Sequence, residues 1–119
     1  MSKKIKTTQK DFTAFKASFR HWAEKFGMRD YSVWFNRKAL DERWAEIVID
    51  TNGRIATVTM TSEYDDDVND CWNPEQSGKH EAIHLFMERL SYVAGCRYIR
   101  PDDIRDAEEG MVRVLEKLL

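Results

Sequence analysis

The stretch His80-Glu81-Ala82-Ile83-His84 decides how the rest of the chain is read, because its spacing dictates a chemistry. On an α-helix, residues four apart lie one turn above each other, so His80 and His84 offer two imidazole nitrogens to the same metal ion. Glu81 lies about 100° round the helix from His80, within reach of a water beside that ion and off the ladder of ligands. The position suits a general base. The chain has only three histidines, so a pair at this spacing, with glutamate directly after the first, is not a by-product of a histidine-rich composition. The expected cofactor is zinc (Zn2+).

Local signals support the helix this chemistry needs. Asn73 fits the N-cap, Pro74 the first turn and Gln76 the reciprocal position of a capping box, while Gly95 supplies a stop after Ala94. With His80 set at zero, Ile83, Phe86, Met87, Leu90 and Ala94 centre at roughly 290°, His84 at roughly 40° and Glu81 at roughly 100°. The imidazoles are thus expected at the border of the buried face, where ligands are held rigidly while one coordination position stays open. Glu88 and Ser91 follow on the same side of the helix.

Downstream, Pro101-Asp102-Asp103 starts a last helix whose apolar positions are Ile104, Ala107, Met111, Val112, Leu115, Leu118 and Leu119. Glu108 falls within that stripe, about 40° from its centre, whereas Glu109 falls at about 140° and faces water. A carboxylate on a core-facing stripe costs several kcal/mol unless it is paired or bound to a cation. A metal held by the two histidines would offset that cost, which makes Glu108 the expected third ligand; Glu109, Asp102, Asp103 and Cys96 are the alternatives.

Upstream, Thr8 begins a helical pattern of Phe12, Phe15, Phe19, Trp22 and Phe26 that Gly27 ends, with His21 on the opposite, solvent side. Tyr31–Asn36, Trp44–Asp50 and Arg54–Ser62 read as strands. Asn52-Gly53 predicts a two-residue type I′ hairpin between the second and third. The third alternates Ala56, Val58 and Met60 with Thr57, Thr59 and Thr61, as an outer strand with a half-exposed threonine face would. Residues 1–7 read as a flexible lead. Glu63–Trp72, with Asp65, Asp66, Asp67 and Asp70, reads as a solvated loop, or as an acidic lip favouring basic substrates.

The chain's 119 residues fit one domain, residues 1–119. A net charge of −2 gives no reason to expect a nucleic-acid partner, and neither a secretory signal nor a membrane span is legible. Cys71 and Cys96 are too few for a disulfide framework and read as reduced thiols of a cytoplasmic protein. The expected fold class is α+β: an N-terminal helix, a three-stranded and largely antiparallel sheet, then two helices that bring the ligands together.

Taken together, His80-Glu81-x-x-His84 and a glutamate some two dozen residues later on another helix resemble the zincin metallopeptidases of the glutamate-ligand type. The element order is similar to that of the smallest zincins, including those encoded by phages and prophages, and more distantly to the ImmA/IrrE-like repressor-cleaving proteins. The resemblance covers roughly residues 31–119, and four residues carry its specific part. It implies a zinc-dependent peptidase acting on a peptide or protein substrate. His80, His84 and Glu108 would be ligands, and Glu81 would polarise the attacking water. Met87 and Leu90 stand where metzincins have a glycine and a third histidine, and no histidine follows His84 to serve as an SprT-like ligand. Tyr64, Tyr92, Tyr98, Arg97 and Arg100 are candidate oxyanion donors by chemistry alone. By analogy with zincins, substrate would add as a strand beside the sheet edge nearest the active helix. The competing expectation is a zinc-stabilised binding or regulatory module that cleaves nothing.

Overall fold

Thr8 opens α1 (Gln9–Lys25) with a reciprocal cap. Its hydroxyl accepts from the Asp11 N–H at 3.1 Å, and the Asp11 carboxylate accepts from the Thr8 N–H at 2.9 Å, so two otherwise orphaned donors are satisfied. The expected stripe is present: Phe15, Phe19, Ala23 and Phe26 are buried, flanked by half-buried Phe12 and Trp22. Gly27, at φ 79°, turns the chain out of the helix, a left-handed conformation that glycine adopts without steric cost. The computed structural model describes residues 3–65 and 72–119. Asp66, Asp67, Asp70 and Cys71, on which the acidic lip and one thiol were expected, lie outside the described residues.

The architecture is α+β, with three helices and two sheets among the described residues. β2 (Ser32–Lys38), β3 (Ala45–Asp50) and β4 (Ile55–Thr61) form a sheet of order β2-β4-β3, with β4 parallel to β2 and antiparallel to β3. Two expectations are corrected here. The sheet is mixed rather than largely antiparallel, and the threonine-rich strand is central rather than outer. The chain crosses from β2 to the far side of the sheet before β3, leaving a slot that β4 fills on its return. Flanked on both sides, β4 buries Ala56, Val58 and Met60 toward the helices and also Thr59 and Thr61 on its other face. The Thr61 hydroxyl accepts from the Leu40 N–H at 3.3 Å and donates to the Glu63 carbonyl at 2.7 Å, so it is buried without an unmet hydrogen bond.

The hairpin also differs from expectation. Asp50 and Ile55 are its last pair, so four residues, 51–54, make the turn. The Asp50 carboxylate accepts from the Gly53 N–H at 3.0 Å, and the left-handed residue is Arg54 at φ 56°. A side-chain acceptor at the strand end favours this longer turn over the two-residue type I′.

Residues 4–7 of the expected lead are not free. β1 (Lys4–Lys6) pairs antiparallel with β5 (Glu63–Asp65), the first part of the expected loop. Lys4 meets Asp65 at 2.9 Å. Thr7 is buried, donates from its hydroxyl to the Thr61 carbonyl at 3.0 Å and accepts from Arg37. Lys-Ile-Lys and Glu-Tyr-Asp, each two charged residues about one apolar or aromatic residue, are too short to carry a periodic signal, so the sequence reads them as lead and loop.

α2 (Pro74–Ala94) starts as predicted, with the Asn73 side chain accepting from the Glu75 and Gln76 N–H groups; the reciprocal Gln76 contact is not formed. Its orientation is the largest departure. The buried residues are Gly78, Glu81, Ala82, Leu85 and Phe86, centred roughly 120° away from the expected face, whereas Ile83 and Met87 are exposed. The reason is backbone contact with α1. A Cβ at Gly78 would lie 2.5 Å from the Phe15 carbonyl oxygen and 3.0 Å from the Phe19 nitrogen, and the Ser18 hydroxyl donates to the Glu75 carbonyl at 2.6 Å. α3 (Pro101–Leu118) then packs on α2. No helix among the described residues is long and apolar enough to cross a membrane.

Gly78→Ala tests the helix contact. In an open helix this change stabilises by about 1 kcal/mol. Here overpacking against backbone, costing about 1–3 kcal/mol or more, should reverse the sign and lower the denaturant midpoint. A midpoint unchanged or raised would mean that the two helices do not approach this closely.

Candidate metal centre

α2 delivers the motif residues to the two sides of one boundary. His80 and His84 are exposed, while Glu81 is 5% exposed. The two Nε2 atoms lie 3.2 Å apart, with the rings inclined at 75°. Two nitrogens at about 2.0–2.1 Å from one tetrahedral ion are about 3.3 Å apart, so the pair has the separation that a shared zinc ion requires. The same distance lets one ring donate a hydrogen to the other. Both arrangements bring the imidazoles together at one point above the helix.

Glu81 is the anomalous group. Among the described residues its carboxylate makes no hydrogen bond, and burial pushes its pKa above the ordinary 4.5, opposed by His80 and His84, reinforced by Glu46 and opposed by Arg43. No side-chain oxygen or nitrogen among the described residues is both buried and without a hydrogen-bond partner, so the Glu81 oxygens reach the groove while the rest of the side chain is enclosed, and that enclosure makes the charged form costly.

The helix forms one wall of a groove of about 670 Å³, lined from α2 by His80, Glu81, His84, Met87, Glu88 and Ser91 and from the opposite side by Arg43, Glu46 and the alternating Ala45, Ile47 and Ile49 of β3. Among the described residues β3 is an edge strand. The Thr61 N–H donates to the Trp44 carbonyl at 2.8 Å, and bonded pairs alternate along an antiparallel ladder. Glu46, Val48 and Asp50 therefore bond to β4, and Ala45, Ile47 and Ile49 turn their backbone N–H and C=O groups outward. A row of strand-pairing groups thus runs along the groove opposite the histidines.

Glu108 does not join them. It is exposed on α3, whose inward residues are Ala107 with half-buried Ile104, Met111, Val114 and Leu118. The expectation that it lies on a core-facing stripe is corrected: the apolar arc of α3 spans about 160°, and Glu108 sits in its outer half beside Val112 and Leu115. Glu109 is also exposed, in an ion pair with Arg113 at 3.7 Å. Among the described residues no group of three His, Cys, Asp or Glu side chains is placed to hold one ion. Carboxylates that do line the groove are Glu88, whose Oε1 accepts from the Thr51 hydroxyl at 3.0 Å, and Glu46, paired with Arg43 at 3.3 Å. Glu88 stands four residues after His84, a signal the sequence carries. Glu46 becomes a candidate only once β3 is placed at the edge.

Of the oxyanion candidates, none lines this groove: the Tyr92 hydroxyl donates to Asn52 at 3.2 Å, Tyr98 is almost fully exposed against Arg97, and Tyr64 lies in a neighbouring cavity. Arg43 is the cationic donor that does line it. Cys96 is half-buried, with its Sγ 3.3 Å from the Tyr92 carbonyl. Comparison with protein-family models, curated proteins and solved structures finds no match to this chain.

The environment of Glu81 fixes a sign. Its folded-state pKa is raised, so the proton is held more tightly in the folded chain than in the unfolded one. The destabilisation is absent below the ordinary carboxyl range and grows as pH rises through the raised value. In chelator-treated protein, Glu81→Gln should therefore raise the melting temperature at pH 7–8, with the gain shrinking toward pH 4. A gain that persists unchanged at pH 4 would contradict this origin.

Proposed function

We propose that this chain is a zinc-dependent peptidase with a minimal zincin-like arrangement, and that its cleft is the groove between α2 and the free edge of β3. The observation that carries the reading is the pair of imidazole nitrogens converging at 3.2 Å directly beside a largely enclosed glutamate whose oxygens open only to the groove. His80 and His84 would hold the ion. Bound zinc would supply Lewis acidity toward a carbonyl or a water. Glu81 would accept a proton from that water; its raised pKa moves it toward the range in which a carboxylate both takes up and returns a proton near neutral pH. The outward N–H and C=O groups of Ala45, Ile47 and Ile49 would take the substrate backbone as an added strand, which aligns a peptide bond along the row of motif residues. Arg43 would lend positive charge to the carbonyl oxygen.

A closed structural site fits the residues less well. Structural zinc takes four protein ligands, whereas among the described residues no group of even three His, Cys, Asp or Glu side chains is placed to hold one ion. A glutamate whose charged form is disfavoured by enclosure also has no task in a site that only holds metal.

Zinc content by mass spectrometry, with cleavage of a mixed peptide substrate, tests the proposal. Wild type should carry about one zinc per chain, lost in His80→Ala and His84→Ala and unchanged in Glu108→Ala. Glu88→Gln and Glu46→Gln place the carboxylate that assists the histidines, the stronger loss marking it. Glu81→Gln should keep zinc yet lose about 10²–10⁴-fold in turnover. Wild type that takes up no zinc on reconstitution, or a Glu81→Gln protein with full turnover, would overturn the reading.

A further inference from the structure

A second cavity of about 450 Å³ lies at the N-terminal end of β3. Arg43 and Trp44 belong both to its wall and to that of a smaller hollow, about 320 Å³, which reaches His80 and Glu81. The cavity is therefore next to the candidate cleft, on the side where β3 begins.

Its lining combines aromatic faces with uncompensated negative charge. Trp44 meets Tyr64 edge to face at 4.9 Å and is backed by Trp72, stacked at 5.2 Å. The Trp72 indole N–H is in turn tied to the Ser77 hydroxyl at 2.9 Å, so the wall is braced against α2. Asp41, Glu42, Glu63 and Asp65 face two cations, Lys4 and Arg43, which leaves a lining charge of 2 − 4 = −2. The two cations are already engaged, Lys4 with Asp65 at 2.9 Å and Arg43 with Glu46 at 3.3 Å. Asp41, Glu42 and Glu63 form no ion pair among the described residues. The field is felt by Lys4 in the lining: its pKa is raised, by Asp65 first and then by Glu63 and Asp41.

We propose that this cavity is a side-chain pocket for a lysine or arginine of a peptide lying in the α2–β3 groove. The inference rests on the reading of that groove as a peptide site. Aromatic rings alone would accept an apolar side chain equally well; the three unpaired carboxylates decide in favour of a cation, and they repel an acidic side chain. A guanidinium or ammonium seated against Trp44 gains from the ring face and from the carboxylates at once. The stem of the same side chain covers the apolar wall supplied by Leu40 and the rings.

The test separates the pocket from the peptidase chemistry by using metal-free, full-length wild type, which can bind without cleaving. Acetyl-Ala-Ala-Arg-Ala-Ala-amide and its norleucine and glutamate counterparts are titrated against it, following the indole N–H resonance assigned to Trp44 through Trp44→Phe. The arginine peptide should bind about tenfold more tightly than the norleucine peptide and move the Trp44 signal. That preference should fall to about twofold or less in Asp41→Asn/Glu42→Gln/Glu63→Gln, a size-conserving change at residues that are exposed or half-exposed, and likewise in high salt. Equal affinity for the arginine and norleucine peptides, or a preference that survives the triple substitution, overturns the pocket. So does failure of all three peptides to bind. An arginine preference in a protein whose zinc-loaded form cleaves none of the peptides keeps the pocket and removes the peptidase reading.

Discussion

The structure hangs on one backbone contact, the seating of Gly78 against the carbonyl of Phe15 and the nitrogen of Phe19. At 2.5–3.0 Å from a would-be Cβ there is room for hydrogen and nothing larger, so the first turns of α2 are locked in distance to the middle of α1. The hydrogen bond from Ser18 to the Glu75 carbonyl fixes the same contact from the other helix. Once Gly78 faces α1, helical geometry leaves no freedom for the next turn. Ala82, Leu85 and Phe86 enter the core, Glu81 is drawn to its edge, and His80 and His84 are left outside but directed along the groove beside β3. The chemistry of the motif is thus set by a glycine two residues upstream of it.

That dependence separates what was legible in the sequence from what was not. The helices and their starts were readable because their signals are local: Thr8 and Asp11 for α1, Asn73 and Pro74 for α2, Pro101 for α3. The face that α2 buries was not. Its apolar residues are distributed round the helix, so two faces compete, and the contact that decides between them involves a residue with no side chain. In α3 the wide apolar arc likewise allowed Glu108 to be placed inward. Only the packing of Ala107 and Met111 shows which half of that arc is used.

The sheet was legible by strand and not by order. Each of β2, β3 and β4 has the residue types and alternation of a strand, but pairing is a long-range property, and insertion of β4 between β2 and β3 has no local signature. The consequence reaches the candidate site. Because β4 takes the centre, β3 becomes the edge beside α2, Arg43 and Glu46 become walls of the groove, and Trp44 lines the cavity next to it. Read in sequence alone, those three residues belong to a charged connection and the start of a strand. The β1–β5 pairing is hidden for the related reason that three residues on each side, two of them charged, form a ladder too short to have a period.

A carboxylate with Glu81's surroundings is hard to account for by stability. Its residue is 5% exposed, its oxygens reach only the groove and accept no hydrogen bond among the described residues, and burial disfavours its ionisation. Glutamine or an aliphatic side chain in its place would fill the same space without a charge to desolvate. Positions where a local rule is broken, here a charge kept against the cost of enclosure, are characteristically those that bind or react. Here the broken rule lies next to the only two histidines that converge among the described residues, at the separation one ion would impose, and faces a strand edge whose hydrogen-bonding groups have no partner strand. Each feature alone has a mundane explanation: a surface histidine pair, a tolerated buried acid, an ordinary sheet edge. Their meeting in one groove is the argument for a ligand, because a metal and a peptide would satisfy all three deficits at once.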